Sequence, residues 1–193
     1  MNLSLFEWGG NMKRFAILSI CIFLLSGCAT SYMVKRDTTS EITAKSDSAT
    51  LVIIRDTSFG FAIVFWNYLD GKPIGETKGK SYFMTHVTPG PHYVVVATEN
   101  TGVAYLDFQP GKIYFLREGV VMGMWRARTS GFEPLTYQQA MESMKECTFF
   151  EMDASQNPEN MDPKLYKTAI DEYQADVKQN PEGFKNILEY KGY

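Results

Sequence analysis

"VAYLDFQPGKIYFL", Val103 to Leu116, is the stretch on which the fold turns. Ala104, Leu106 and Phe108 fall on one side of an extended chain and Tyr105 and Asp107 on the other, since successive side chains of a strand point to opposite faces. One face is then core and the other meets solvent. Gln109, Pro110, Gly111 and Lys112 end the run: Pro110 presets φ for a turn, and Gly111 takes the positive φ that a side chain resists.

Outward from there, apolar runs and turn signals keep alternating. The runs are "ATLVIIR", "FAIVFWNYL", "SYFMTHV", "HYVVVATE", "VAYLDF", "KIYFLREG" and "VVMGMWRA". Between them stand "DGKPIG" (Asp70 to Gly75), "TPGPH" (Thr88 to His92) and "ENTG" (Glu99 to Gly102), besides the turn above. Turn signals spaced about 8 to 12 residues apart predict a mainly β fold, an antiparallel β-sandwich of about seven strands over residues 49–150. "TLVIIR" and "YVVVAT" are apolar on both faces, which places them centrally, covered by a second sheet or by a helix.

"TYQQAMESMKEC", Thr136 to Cys147, supplies one packed helix. Thr136 and Gln139 form a capping box, and Tyr137, Ala140, Met141, Met144 and Cys147 share one stripe, so Cys147 is expected on the buried side. Residues 151–193 read as a linker and a helical tail: Asp162 and Pro163 open a helix carrying Leu165, Tyr166, Ala169, Ile170, Tyr173 and Val177, and Asn180 and Pro181 open another. An apolar stripe of this kind must find a surface, on its own domain or on another protein.

At the front, Lys13 and Arg14 follow Met12, and Phe15 to Leu25 is an apolar run of about 11 residues, long enough for an export signal and short of the roughly 20 needed to span a membrane. Met1 to Asn11, with Phe6, Glu7 and Trp8, suits no signal, so Met12 is taken as the true start. Leu25, Ser26 and Gly27 run directly into Cys28, and this resembles the bacterial lipobox at every position. The resemblance implies signal peptidase II cleavage between Gly27 and Cys28, with residues 1–27 removed. It further implies diacylglycerol on the Cys28 thiol and a further acyl chain, such as palmitate, on its amine. Two or more chains hold firmly, since each buried methylene contributes about 0.8 kcal/mol. Ala29 in place of an aspartate implies sorting to the outer membrane, facing the periplasm. Residues 28–48, rich in Thr, Ser and mixed charge, read as a lipidated flexible tether with a mean span of about 25 Å.

Charge excludes one class of partner. There are 19 basic and 22 acidic side chains, and without Glu7, Lys13 and Arg14 the balance is 17 to 21, so no basic patch emerges and nucleic acid is not expected. Three cysteines, with Cys21 in the leader and Cys28 acylated, leave Cys147 alone and no disulfide within the mature chain.

Little catalytic chemistry is visible. His86 and His92 lack companions at metal-ligand spacing, so no metal or cofactor is expected, and His92 is assigned to ordering a strand start. No phosphate-cradling or nucleophile-elbow motif occurs, and Cys147 has no local activating partner, so no catalytic residue is assigned and the chain is read as no enzyme. The aromatic residues Phe59, Phe61, Phe65, Trp66, Tyr68, Tyr82, Phe83, Tyr93, Tyr105, Tyr114, Phe115 and Trp125 lie in or beside strands, where cross-strand packing competes with a sugar or peptide platform. "GMWRAR" sets Trp125 beside Arg126 and Arg128, a candidate site for an anionic glycan or peptide.

"TLVIIRDT", "LDGKPIGETKGKSYFMTHVTPGPHYVVV" and "LDFQPGKIYFLRE" together resemble the bacterial lipoproteins of the domain of unknown function 2846 family, over Ala49 to about Cys147. The central piece is also similar in architecture to PEGA-type β-sandwich repeats, without the tetrapeptide itself. The resemblance implies an envelope lipoprotein and carries over no functional residue except Cys28. The leading expectation is therefore a lipid-anchored, non-enzymatic interaction module whose surface, or whose C-terminal helices, docks an envelope protein partner. A glycan or peptidoglycan binder using exposed aromatics with Arg126 or Arg128 is the alternative, and an enzyme centred on Cys147 the third.

Overall fold

The computed structural model describes residues 31–37, 41–124 and 126–193. Among them, ten strands run in chain order: β1 (Met33–Arg36), β2 (Ala49–Arg55), β3 (Phe65–Leu69), β4 (Lys72–Thr77), β5 (Ser81–Val87), β6 (Gly90–Ala97), β7 (Thr101–Phe108), β8 (Ile113–Met122), β9 (Ala127–Pro134) and β10 (Thr148–Met152). Helix α1 (Tyr137–Met144) lies between β9 and β10, and α2 (Pro163–Gln179) and α3 (Pro181–Leu188) follow. The fold is mainly β, with one packed helix and a helical tail.

Two sheets form, one of six strands in the order β1-β10-β5-β2-β8-β9 and one of four in the order β4-β3-β6-β7. The smaller is antiparallel throughout, while the larger contains two parallel pairings, β10 with β5 and β2 with β8. Six of the apolar runs become β2, β3, β5, β6, β7 and β8, and the seventh, "VVMGMWRA", is split between the end of β8 and the start of β9. The strands flanking Gln109–Lys112 do not pair with each other: β7 pairs with β6 and β8 with β2 and β9, so this turn carries the chain from one sheet to the other.

Alternation divides each strand of the larger sheet between two cores. Leu51 and Ile53 of β2, Phe83 and Val87 of β5, and Tyr114 and Leu116 of β8 meet Val94, Ala104, Leu106 and Phe108 of the smaller sheet. Val52, Ile54, Tyr82 and Phe115 face the opposite way, against Leu135 and α1's Ala140 and Met144. Every residue of β2 is buried, as two-sided apolarity predicts. The capping box of α1 forms: Gln139 N–H donates to Thr136 Oγ1 at 3.2 Å, and Thr136 N–H donates to Gln139 Oε1 at 2.8 Å.

The tail docks on its own domain. Asp162 caps α2, accepting from the amides of Lys164 and Leu165, and Tyr173 of α2 stands edge-on to Tyr93 of β6 and to Phe184 of α3. Ile187, Phe184 and Tyr190 pack into the inter-sheet core. Tyr190 Oη accepts from the Phe115 amide and donates to the Leu135 carbonyl, both at 3.0 Å, and burial pushes its phenol up to about 12. Ile113 and Tyr193 exchange two backbone hydrogen bonds.

Two boundaries differ from the sequence reading. Within 28–48, read as a tether, Met33–Arg36 pairs antiparallel with β10 at the edge of the larger sheet and buries Met33 in the main core. Its other three residues are exposed, so no periodicity marked it. β10 runs past residue 150, where a linker was expected. Cys147 lies three residues beyond the end of α1 and is half-buried rather than enclosed.

Candidate functional site

Four connections gather at one end of the sandwich: residues 56–64, 78–80, 98–100 and 123–126. The first is long, and what shapes it is a side chain from inside. Arg55 follows Leu51 and Ile53 in phase, so its guanidinium points between the sheets, where it is 0% exposed. It lies 4.1 Å from the centre of the Phe65 ring and donates to the carbonyls of Ile63 at 2.8 Å, Phe59 at 3.0 Å and Gly60 at 2.8 Å. A guanidinium has five N–H donors and no acceptor, so carbonyls turned inward from one loop are the partners it needs.

The countercharge is Glu118 of β8, 2% exposed and in phase with Tyr114 and Leu116. It accepts from Asn67 Nδ2 at 2.7 Å and from the Thr77 hydroxyl, so strands of both sheets are stitched together at this carboxyl. Burial pushes its pKa up to about 7, against the pull of those two donors and of Arg55. Burial likewise lowers the pKa of Arg55, opposed by Glu118.

At the tips of these connections apolar side chains are left in solvent: Phe59 is 41% exposed, Phe61 72%, Met122 72% and Met124 84%. The tips touch one another. Gly60, at φ +65°, lies so close to Ala127 that a Cβ there would stand 2.3 Å from the alanine Cβ, and a Cβ on Gly79 would stand 3.2 Å from that of Phe61.

Of the residues singled out in sequence, Gly27, Cys28 and Trp125 lie outside the described residues. Arg126 is exposed and paired with Glu99 at 3.3 Å. Arg128 lines a cavity of about 360 Å³ with Asn100, Leu165, Glu99 and Glu172. A neighbouring cavity of about 260 Å³, between β7, β9 and the tail, adds Asp176. Three carboxylates against two arginines, one already paired, make this groove a poor receptor for an anion. Five of the twelve aromatic candidates, Phe65, Tyr82, Phe83, Tyr114 and Phe115, are buried, while Phe59, Phe61 and Tyr105 are exposed.

Cys147 Sγ donates to the Ser143 carbonyl at 3.2 Å, and burial with nearby Asp56 pushes its thiol up to about 11. His86 Nδ1 meets Thr50 Oγ1 at 3.3 Å, and His92 ties Asp70 to the carbonyl of Thr88 at the far end of the sandwich. Among the described residues no group of three His, Cys, Asp or Glu side chains is placed to hold a metal ion, and no helix is long and apolar enough to cross a membrane. The Arg55 and Glu118 pair escaped the sequence reading, although a signal was there: each is a charged residue at a position the alternation assigns to the core. No family model, no curated protein and no solved structure matches this chain.

Proposed function

We propose that this chain is a lipid-anchored protein of the bacterial cell envelope, held through Cys28 in the outer membrane facing the periplasm, and that it acts as a non-enzymatic module for contact with another envelope component. The observation that carries this reading is the apolar run from Phe15 to Leu25 passing through Ser26 and Gly27 into Cys28. Membership of the domain of unknown function 2846 lipoproteins is part of the same proposal.

The folded body supports contact over catalysis. Both histidines are engaged in holding turns and strands, and the Cys147 thiol is shifted in the direction opposite to that of a nucleophile. The tail packs on its own domain through Ala169, Tyr173 and Ile187 and leaves Leu165 and Leu188 exposed for a partner. Binding of an anionic glycan at Arg126 and Arg128 has less support, because Glu99, Glu172 and Asp176 share that surface.

Mass spectrometry of the amino-terminal peptide tests the anchor directly. Acylated Cys28 is the expected result, with a Cys28→Ser form lost from the membrane pellet; a bare Cys28, or a Cys28→Ser form that still pellets, overturns it. Crosslinking in intact cells is expected to trap an envelope protein.

A further inference from the structure

We propose that the groove between the free edge of β7 and helix α2 receives an extended segment of a partner protein, with a lysine or arginine of that segment set against Glu172 and Asp176. This gives the contact reading a partner chemistry and rests on that reading, not on the anchor.

Each sheet ends in a strand with one unpaired side, and on this flank of the sandwich those strands are β7 and β9. The edge of β9 is closed. Asn100 Oδ1 accepts from the Thr129 amide at 3.1 Å, its Nδ2 donates to the Thr129 carbonyl at 2.9 Å, and the Gly131 amide donates to the Thr129 hydroxyl at 2.9 Å. The edge of β7 is closed at two places only. Asn100 Nδ2 reaches the Thr101 carbonyl at 3.5 Å, and the Tyr105 amide donates to the Tyr173 hydroxyl at 3.4 Å. Residues that turn their amides and carbonyls outward alternate along an antiparallel pair, so Val103, midway between Thr101 and Tyr105, turns its own to the same edge. None of the loop, cap or side-chain hydrogen bonds among the described residues reaches Val103. That unclaimed rung is where the cavity of about 260 Å³ opens. Its floor is bare backbone: a Cβ on Gly102 would stand 2.6 Å from the Gly131 Cα, and the side-chain position of Gly131, at φ +91°, faces open space. A chain laid along this edge supplies the donor and the acceptor that Val103 lacks.

The opposite wall selects the charge of that chain. Leu165, Thr168, Ala169, Glu172, Tyr173 and Asp176 form one face of α2 and run along both cavities. At 1.5 Å per residue this face is about 17 Å long, enough for about five extended residues. Glu172 and Asp176 stand one turn apart, and among the described residues neither is ion-paired; the paired carboxylate of α2, Asp171 with Lys167, lies off this face. Like charges at that spacing repel, and a cation between them relieves the repulsion. None of the described residues lining the inner cavity is basic, whereas Arg128 lines the outer one, so the inner cavity is the place for a positive side chain. The backbone agrees. A residue paired directly opposite Val103 sends its side chain to the outer face, the face of Tyr105. That is where α2 lies, since Tyr173 stands edge-on to Tyr93. The methylenes of a lysine or arginine then run along Tyr173 and Phe184 and bring the charged head to the two carboxylates.

The test titrates the peptide acetyl-Thr-Val-Lys-Val-Thr-amide, to millimolar concentration, into the full isotope-labelled chain in neutral detergent and follows the backbone amide signals by NMR. Saturable shifts are expected at Val103 and along Glu172 to Asp176. Replacing the peptide's lysine by glutamate is expected to weaken binding about tenfold or more. Methylating the backbone nitrogen of that lysine keeps the charge, removes a strand-pairing donor and is expected to weaken binding by a similar factor. Glu172→Gln combined with Asp176→Asn, both at exposed positions, should bring the lysine and glutamate peptides to within about twofold of each other. A Val103 signal that does not move at the highest concentration overturns the proposal. So does equal affinity for the lysine peptide and its methylated form, which would reduce the groove to a site for any cation, and so does equal affinity for the lysine and glutamate peptides in the unaltered chain. An envelope protein crosslinked to the chain in cells, found together with an unmoved Val103 signal, leaves the contact reading standing and fails the groove alone.

Discussion

The two ends of the sandwich are built on opposite principles. At the far end the connections are short and each is tied by its own residues. Asp70 and Gly71, at φ +50° and +79°, make the two-residue turn with positive φ at both positions that suits the twist of a hairpin. Asp70 also accepts from the Tyr93 amide and from His92, and Tyr114 Oη holds the amide of Gln109. At the loop end a long connection is held by a guanidinium that belongs to the middle of the larger sheet, with its countercharge on another strand. Local ties make a turn that survives small losses. A shared buried ion makes a surface that stands or falls as one.

Removing Arg55 is the severest way to separate the two ends. Arg55→Ala leaves the inward carbonyls of Phe59, Gly60 and Ile63 without their donor and empties the space of a fully buried side chain, a loss of about 3–5 kcal/mol. The midpoint of urea unfolding checks the size, and proteolysis should cut first within residues 56–64 while the far turns stay protected. Next comes the tail. Ile187, 7% exposed, fills the inter-sheet core from α3, and Ile187→Ala is expected to cost about 2–5 kcal/mol by the same measurement. A loss near zero would show that the tail is not part of the cooperative unit.

The same contrast explains what could be read from the sequence. The far end is written in adjacent residues: Asp70-Gly71, Pro89-Gly90 and Pro110-Gly111 specify turns by dihedral preference alone, and Asp162-Pro163 specifies a helix start in the same way. β2 also announced itself, since Leu51, Val52, Ile53 and Ile54 are apolar on both faces. β1 and β9 did not, because edge strands need only one inward residue here and there, and Ala127–Pro134 with its Ser, Gly and Glu carries little apolar pattern; β10, between β1 and β5, is only five residues long and largely half-buried. The parallel pairing of β2 with β8 depends on residues more than 60 positions apart meeting in the middle of a sheet, which no local window contains. The loop end shares that difficulty. Arg55 and Glu118 each violate the alternation of their own strand, and only the folded chain shows that the two violations answer each other.

Glu118 gives the ends different responses to pH. Its folded pKa of about 7 lies above the ordinary carboxyl value of 4.5, so the folded state binds more protons than the unfolded one between those values. Stability contributed by this group is therefore complete below about pH 4.5 and is lost as pH rises through 7, by up to about 3 kcal/mol. Glu118→Gln keeps the side-chain shape and removes the titration. Melting temperatures taken from pH 4.5 to 8 are expected to flatten in the variant over that window, and an unchanged slope would place the proton elsewhere.

The smallest effect belongs to the far end and tests its independence. His92→Ala removes the links to Asp70 and to the Thr88 carbonyl, yet Asp70 Oδ1 still accepts from the Tyr93 amide at 3.0 Å and the backbone turn at Asp70 and Gly71 remains. The expected cost is about 1 kcal/mol, that of a side-chain hydrogen bond lost where water can replace it. Because His92 bonds Asp70 and Thr88 and, among the described residues, no hydrogen bond or ion pair joins it to Arg55 or Glu118, the loss should add to that of Glu118→Gln within about 0.5 kcal/mol in the double variant. A larger coupling energy would mean that the far turns and the loop end communicate through the strands between them, and that the surface at the loop end is tuned from the opposite pole of the sandwich.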